Sequence, residues 1–259
     1  MGPSLFHEII YGPVKSRRLG NSLGINIIPT NEKICSFDCL YCECGWTQEF
    51  TSNNFIDSET FKNILEDHLK QLKDKNINLN SITFSGNGES TLHPEFLTIV
   101  RQTISLRDKY FSDAKVTVLT NGSMLHLPQV QEALSIIDQP ILKLDSAIQQ
   151  EFEIINRPMY KINIQTIIEN YANLSVSNKI IQTLLLRSKY NETKIDNTSE
   201  ESLNALVAAI NKINPKIWML YVIDRPTPAN NLEKLTFAEL EEIKTKLQDK
   251  VNCEIKIYA

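Results

Sequence analysis

Four of the chain's five cysteines lie within ten residues, in the segment KICSFDCLYCECGWT at positions 33–47. Their spacing is Cys35-x3-Cys39-x2-Cys42, followed by Cys44 two residues later. Three thiolates this close on one loop can hold three irons of a cubane iron–sulfur cluster. The fourth iron is then open to a ligand from outside the protein. The spacing therefore indicates metal or redox chemistry at this loop.

Other uses of these cysteines have to be weighed. Disulfides staple small secreted scaffolds, whereas a chain of 259 residues buries enough surface to fold without them. Structural zinc prefers four protein ligands, usually two close pairs from separate segments. The remaining candidate zinc ligands are scattered: Cys253, His7, His68, His93 and His126. His93 follows a predicted strand and could approach the loop. Cys44 could be a fourth cluster ligand, or a spare neighbour of the other three.

The composition is that of an ordinary globular enzyme or binding domain. Hydrophobic residues make up 42% of the chain and charged residues 22%. The start MGPSLFHEII has no secretory signal, and no apolar run reaches membrane-spanning length. We therefore expect a cytoplasmic protein without a membrane partner. The net charge of −4 disfavours a general nucleic-acid binder, although a local basic patch would suffice for RNA.

Alternating strands and helices must position the cysteine loop. Six short apolar segments are typical of buried parallel strands: 23–29, 81–86, 114–122, 140–146, 179–188 and 215–223. Helical periodicity falls between them: 57–76, 93–108, 127–137, 161–175, 199–213 and 236–250. We expect Asp57 or Ser58 to cap the first helix, and Pro94 to lie in the first turn of the second. A last strand, 253–259, is expected at an edge. The alternation indicates a partial (β/α) barrel or an open doubly wound sheet.

Polar residues follow the predicted strands. In both architectures the active site lies at the carboxyl ends of the strands. The residues expected at this mouth are Gly86, Asn87, Gly88, Glu89, Asn121, Lys143, Asp145, Ser146, Gln182, Thr183, Arg187, Tyr221, Asp224 and Arg225. Each also has a simpler interpretation, because Gly-x-Gly and Asn-Gly are common turns and the charged residues could form ion pairs.

The cysteine spacing with an aromatic residue before Cys42 resembles the radical S-adenosylmethionine (SAM) superfamily. The resemblance implies a [4Fe–4S] cluster on Cys35, Cys39 and Cys42, with SAM chelating the fourth iron. Reductive cleavage of SAM would give methionine and a 5′-deoxyadenosyl radical that abstracts a substrate hydrogen. Tyr41 occupies the position whose backbone contacts the adenine. Cys44 is then a spare thiol, since a fourth protein ligand would prevent chelation by SAM.

The same resemblance implies SAM contacts after the later strands. The segment 86–89, GNGE, resembles the family's GGE motif, in which Glu89 would accept from the SAM ammonium. Asn121 lies at the mouth, and Gln182 lies on the fifth strand. Polar residues of the fourth strand bind the SAM ribose or carboxylate in the family; here they are Lys143, Asp145 and Ser146.

The fold that the resemblance implies is an α/β, partial (β/α)6 radical SAM barrel with an additional C-terminal edge strand. Residues 1–259 would form a single domain with a core at about 20–225. Segments 1–19 and 232–259 would pack on that core. An electron donor such as flavodoxin or ferredoxin is the expected partner.

Longer stretches resemble a branch of the superfamily related to wybutosine synthesis enzymes, which modify a tRNA base. The stretches are YGPVKSRRLGNSLGIN (11–26), FSGNGESTLHP (84–94), LTNGSML (119–125), INRP (155–158), DNTSEE (196–201) and YVIDRPTP (221–228). The branch implies a tRNA base or nucleoside substrate. Many of its members carry a second cluster on earlier cysteines, and this chain has no cysteine before Cys35. Lys15 and Lys143 are candidates for the Schiff-base lysine of that branch. The alternatives are a maturase or activase acting on a peptide or protein, and a zinc-binding interaction module.

Arg17 and Arg18 stand just before the first predicted strand. Guanidinium groups suit a carboxylate or phosphate ligand. A solvated pair at the base of the barrel is the simpler expectation, because they precede the strand's amino end. Asp224 and Arg225 follow the sixth strand at the mouth, and contact substrate or form an ion pair within a turn.

Overall fold

An eight-stranded sheet forms the centre of the computed structural model, which describes residues 4–47, 54–190 and 193–259. The strands within these ranges are β1 (Ile10–Ser16), β2 (Gly20–Ile25), β3 (Ser81–Phe84), β4 (Lys115–Thr120), β5 (Gln139–Lys143), β6 (Ile180–Leu184), β7 (Arg187–Tyr190), β8 (Thr193–Asp196), β9 (Ile217–Tyr221) and β10 (Glu254–Tyr258). The large sheet has the order β1-β2-β3-β4-β5-β6-β9-β10. All neighbours in it are parallel except β1, which is antiparallel to β2.

Helices connect the parallel strands. They are α1 (Ser58–Asp74), α2 (Phe96–Tyr110), α3 (Pro128–Ile136), α4 (Gln149–Ile155), α5 (Ile164–Asn173), α6 (Glu200–Ile213) and α7 (Phe237–Gln248), with a 3-10 turn at Ser90–Leu92. Helix α1 buries Phe61, Leu65, Leu69 and Leu72, which recur at helical spacing. Asp57 caps it by accepting from the Thr60 backbone N–H at 2.9 Å. No helix within the described ranges is both long and apolar enough to cross a membrane.

The curled parallel sheet confirms the predicted partial barrel. The six predicted strands appear as β2 to β6 and β9, side by side in chain order. The C-terminal strand β10 is confirmed at the edge, where it continues the parallel sheet beside β9. The prediction that residues 1–259 form one domain stays a prediction.

Several local features differ from the sequence predictions. Strand β1 was not predicted, because Gly12 and Pro13 interrupt it; the structure accommodates them as an irregularity between Tyr11 and Val14. The predicted strand 179–188 is divided into β6 and the start of a β7–β8 hairpin. Helix α2 begins at Phe96, so the expectation that Pro94 lies in its first turn is wrong. The 3-10 turn occupies the preceding residues instead.

Side-chain alternation along the strands divides the sheet into a helix-covered face and a concave face. Trp218 and Leu220 of β9 join the main core, whereas Met219 packs with Ile141, Ile180 and Leu19 in a separate small cluster. Lys143 and Gln182 are two residues beyond Ile141 and Ile180, so they share the concave face with this cluster. The concave face thus carries polar groups above an apolar floor.

Candidate active site

The start of the cysteine loop is hydrogen-bonded to the glycine loop that follows β3. The Ile34 backbone N–H donates to the Asn87 carbonyl at 2.9 Å, and the Glu89 N–H donates to the Ile34 carbonyl at 3.0 Å. Gly88 lies between them with φ of +145°. A Cβ there would lie 1.8 Å from the Ile34 carbonyl oxygen, so only glycine permits this approach. The contact places Cys35 beside the glycine loop.

The opposite side of the cysteine loop is held by the segment that ends α4. The Asp38 N–H donates to the Asn156 carbonyl at 3.1 Å, and the Leu40 N–H to the Ile155 carbonyl at 3.0 Å. Lys33 is buried, and its ammonium donates to the Gly45 carbonyl at 2.7 Å. Backbone and side-chain bonds therefore hold the loop from both ends.

A cavity of about 440 Å³ opens on the concave face of the sheet. All four clustered cysteines line it. The other sequence-predicted residues that line it are Tyr41, Gly86, Gly88, Glu89, Asn121, Lys143, Gln182, Tyr221, Asp224 and Arg225. The predicted gathering of strand-end residues at one site is present in the structure.

The cysteines differ in their electrostatic environments. Burial raises the pKa of Cys35 well above its ordinary value and that of Cys39 to about 11. Cys42 is different, because a hydrogen bond with Cys44, aided by the Lys33 ammonium, lowers its pKa against the effect of burial. The Cys44 sulfur also lies 3.1 Å from the Gly86 carbonyl, so its one hydrogen can be donated either to that carbonyl or to Cys42. Cys44 thus contacts both Cys42 and the glycine loop.

Glu89 is buried beside these cysteines and is held by short hydrogen bonds. Its Oε1 accepts from the Thr120 hydroxyl at 2.7 Å and the Thr91 hydroxyl at 2.6 Å. Its Oε2 accepts from the Asn121 N–H at 2.7 Å. Burial raises the pKa of Glu89, although these donors favour the carboxylate. The Asn121 amide in turn donates to Ser36 at 2.9 Å and lies 3.7 Å from the Cys35 sulfur.

A second polar network joins the cysteine loop to β5 and β9. Asp145 is buried and accepts from the Tyr41 hydroxyl and, at 2.7 Å, from the Asn156 amide. Lys143 donates to Asp145 at 2.9 Å and to the Tyr221 hydroxyl at 2.6 Å. Burial lowers the pKa of Lys143, but the charges of Asp145 and Tyr221 outweigh it, and the net shift is upward.

Two buried polar atoms at this cavity have no partner among the described residues. They are the Oδ1 of Asn156 and the Nε2 of Gln182, and both side chains line the cavity. Buried polar groups are almost always satisfied, so an unpartnered acceptor and an unpartnered donor on two residues that line one cavity fit a polar ligand there. The amide of Asn156 also approaches the Cys39 sulfur at 3.5 Å.

The donor set at this cavity fits an iron–sulfur cluster with a chelating ligand. Within the described ranges, no three His, Cys, Asp or Glu side chains are grouped to hold a single metal ion. A cubane cluster instead takes one thiolate on each of three irons. Cys35, Cys39 and Cys42 line the cavity, and polar groups for a small ligand lie beside them.

Several predicted residues are near the cavity without lining it. Asn87 is fully buried on the other side of the glycine loop, where its amide donates to the Phe6 carbonyl at 2.8 Å and the Pro29 carbonyl at 3.0 Å. Ser146 bonds locally, accepting from the Ile148 N–H at 3.0 Å. Asp145 lies behind Lys143 and Tyr41. Successive side chains of an extended backbone point to opposite sides, which explains why Asn87 is excluded while Gly86 and Gly88 line the cavity.

Two further strand-end residues are also elsewhere. Thr183 faces the helix side, where its hydroxyl accepts from the Trp218 indole at 2.9 Å. Arg187 pairs with Glu239 of α7 at 2.6 Å. The prediction thus gave Thr183 the wrong face of the sheet, and it placed on the fifth strand an Arg187 that belongs to the β7–β8 hairpin.

The expectation that Arg17 and Arg18 form a solvated pair at the base of the barrel is wrong. Both line the cavity. Arg17 pairs with Asp224 at 3.3 Å, and the Arg18 guanidinium lies 4.5 Å from the centre of the Tyr221 ring. The turn between β1 and β2 therefore reaches β9 on the opposite wall.

Asn156 was not among the predicted site residues. It lies after α4 in the segment INRP, at no strand end, so the strand rule does not find it. The only sequence signal was the similarity of INRP to the branch motifs.

Comparisons with known proteins agree with this geometry. The radical SAM superfamily model matches residues 33–201. The chain is 30% identical over 223 residues to a UPF0026 protein of Helicobacter pylori, covering 85% of this chain and 67% of that one. It is also 30% identical over 251 residues to a protein named GTPase Obg of Brachyspira hyodysenteriae, covering 96% of this chain but only 34% of that protein. The chain spans about a third of the length of the latter relative.

Solved structures share the fold. Streptococcus suis SuiB bound to the precursor peptide SuiA has a TM-score of 0.64 at 16% identity, covering 91% of this chain and 48% of SuiB. TYW1 with a lysine–pyruvate adduct has a TM-score of 0.64 at 12% identity, covering 89% of this chain and 74% of TYW1. The chain belongs to the radical SAM superfamily, and it is therefore an enzyme whose cofactors are a [4Fe–4S] cluster and S-adenosylmethionine.

Proposed function

We propose that Cys35, Cys39 and Cys42 hold the [4Fe–4S] cluster and that SAM occupies the cavity beside it. The observation that carries this proposal is that the three cysteines line one cavity together with Asn156 and Gln182, each of which has an unpartnered polar atom. When bound, the cluster and SAM together supply a 5′-deoxyadenosyl radical for hydrogen abstraction from a substrate. The chain's own residues bind, orient and shield these groups.

The glycine loop and Glu89 are proposed to hold the SAM amino group. Gly86 and Gly88 expose backbone to the cavity without a side chain. Donors from Thr91, Thr120 and Asn121 fix the Glu89 carboxylate. Its Oε2 accepts one of these bonds, so one lone pair can still accept from an ammonium. Asn87 supports this loop from behind.

The opposite wall is proposed to orient the rest of SAM. Lys143 and Asp145 place a charged pair beside Tyr41, whose backbone would contact the adenine. Asn156 and Gln182 would use their unpartnered atoms for SAM hydroxyl or adenine groups. Ser146 contributes by shaping the turn after β5.

The substrate is proposed to be a tRNA base or modified nucleoside. The similarity to the wybutosine branch and the shared fold with TYW1 support this proposal. Of the two candidate Schiff-base lysines, Lys143 is paired with Asp145, and its raised pKa favours the ammonium, which is not nucleophilic. Lys15 also lines the cavity and is exposed, so it is the better candidate. The reductant is proposed to be a flavodoxin or ferredoxin.

A peptide or protein substrate is the second candidate. It is supported by the shared fold with SuiB, whose structure contains a precursor peptide. Both candidates use the same cofactor site, so the first experiment is common to them.

The test is anaerobic reconstitution of the chain followed by reduction in the presence of SAM. We expect about four irons and four sulfides per chain, and formation of 5′-deoxyadenosine. Cys39→Ala is expected to lose the cluster and the product. Cys253→Ala, a cysteine buried in the core, is the matched control and keeps both. Zinc in place of iron, or equal product from the Cys39→Ala variant, would refute the proposal.

A further inference from the structure

Arg18 differs from every other arginine of the chain. The six others each pair with a carboxylate: Arg17, Arg101, Arg107, Arg157, Arg187 and Arg225. Arg18 has no carboxylate partner among the described residues, although it is half-buried and lines the cavity. An arginine in such a position normally has an anionic partner, because its charge is costly to desolvate.

The fold builds the position of Arg18. The Ser16 hydroxyl accepts from the Arg18 N–H at 3.3 Å and from the Leu19 N–H at 3.1 Å, which fixes the turn. The Leu19 side chain packs into the apolar cluster on the concave face. The guanidinium then lies over the Tyr221 ring in a cation–π contact, and the ring uses none of its N–H donors.

The charges that line the cavity do not balance. Its basic residues are Lys15, Arg17, Arg18, Lys143 and Arg225, and its acidic residues are Glu43, Glu89 and Asp224. Arg17 pairs with Asp224, Arg225 pairs with Glu43 at 3.0 Å, and Lys143 pairs with Asp145. Lys15 of β1 and Arg18 of the following turn are left without a carboxylate among the described residues; Lys15 is exposed, whereas Arg18 is half-buried over Tyr221.

We propose that Arg18 forms an oxyanion subsite that binds a phosphate or carboxylate group of the substrate. The planar guanidinium of Arg18 offers the two parallel N–H donors that a phosphate or carboxylate accepts. This inference deepens the proposed function, on which it rests, and names the chemical class of its substrate as an anion. Because Tyr221 links Arg18 to Lys143, the anion would lie next to the network that contains Tyr41 and Asp145.

The SAM carboxylate is the competing occupant, so binding is measured both without SAM and with SAM at saturation. Equilibrium dialysis of the reconstituted protein under each condition measures binding of radiolabelled inorganic phosphate and, in a second arm, acetate. Ionic strength is held constant with chloride. We expect one bound anion per chain. Comparing the affinities for phosphate and acetate shows whether the subsite prefers a phosphate or a carboxylate.

Variants assign the anion to this turn. Arg18→Gln is expected to weaken binding at least about tenfold, because a charge-assisted bidentate contact is lost. Arg18→Lys keeps the positive charge but lacks the two parallel N–H donors. Its affinity for the anion is therefore expected to lie between those of the wild type and Arg18→Gln. Arg101→Gln, which breaks an exposed ion pair away from the cavity, is the matched control and binds as the wild type.

Three results would overturn the inference: wild-type binding by Arg18→Gln, no binding of either anion by the wild type, or binding that SAM abolishes. The last would assign Arg18 to SAM. Failure of the proposed function gives a different result. A chain that binds phosphate but forms no 5′-deoxyadenosine would contradict the proposed radical chemistry and leave the anion subsite standing.

Discussion

Replacing Gly88 by alanine tests whether the contact between the two loops is required for the cluster. The new Cβ would lie 1.8 Å from the Ile34 carbonyl oxygen and 2.5 Å from its carbon, and φ of +145° is itself strained for alanine. Backbone atoms cannot yield as a flexible side chain can. The loops must therefore separate, with the loss of both hydrogen bonds to Ile34.

The cost can be worked from these contacts. A non-glycine residue in such a conformation costs about 1–3 kcal/mol. Each lost backbone hydrogen bond costs about 1 kcal/mol, so we expect Gly88→Ala to reduce the free energy of unfolding by about 3–5 kcal/mol. The two lost bonds account for about 2 kcal/mol of this. That corresponds to about a 30-fold shift in the equilibrium away from the loop conformation that places Cys35 beside the glycine loop.

Two measurements test this reasoning on the same protein. Urea unfolding gives the loss of stability, and iron and sulfide analysis after anaerobic reconstitution gives the loss of the cluster. The matched control is Gly20→Ala, where φ is +71° and the new Cβ meets only the Asn80 side chain, away from the cysteines. We expect Gly20→Ala to lose stability and keep its cluster. Full cluster content in Gly88→Ala would refute the argument that this contact positions Cys35.

Three further predictions concern the site and the framework. Cys44→Ser should keep its iron and sulfide, because the thiol bonds to Gly86 and is proposed not to bind iron; loss of one iron per chain would contradict this. Asn156→Ala should weaken SAM binding about tenfold in equilibrium dialysis, since a buried hydrogen-bonding side chain is lost; unchanged affinity would remove Asn156 from the SAM site. Backbone donation from Thr236, followed by the Arg187 ion pair, holds the pKa of Glu239 at about 2, below its ordinary 4.5. A depressed pKa stabilises the fold above pH 4.5, and the contribution disappears as the pH falls through 2. In urea unfolding, Glu239→Gln should therefore be less stable than the wild type at pH 7, with the difference shrinking between pH 4.5 and 2; a constant difference would contradict the assignment.

Strand periodicity predicted much of this fold because a parallel sheet covered by helices needs short apolar strands. It predicted the cavity end of the sheet for the same reason, since residues that follow parallel strands meet at one edge. It could not predict which side of a strand or loop each residue faces. Asn87 and Thr183 are adjacent to cavity residues, yet each points to the opposite side.

Sequence periodicity could not predict residues that reach the cavity only when distant segments of the chain come together. Arg18 precedes the first parallel strand, and its place over Tyr221 depends on how far the sheet curls. Asn156 lies after a short helix, and its place depends on the four backbone bonds between its segment and the cysteine loop. Gly12 and Pro13 concealed strand β1, because both residues usually end a strand.

The N-terminal segment, which the sequence predicted to pack on the barrel, is also part of the site. Phe6 exchanges two hydrogen bonds with the Asn87 side chain, and Asn26 accepts from the Asn87 N–H at 3.1 Å, so this segment fixes the glycine loop from behind. The turn after β1 carries Arg18 to the far wall of the same cavity. One segment thus supports the proposed SAM loop and supplies the proposed anion subsite. With SAM and the substrate anion bound as proposed, the β1–β2 hairpin, which is held by the pairing of β2 with β3, would set the position of the substrate relative to SAM.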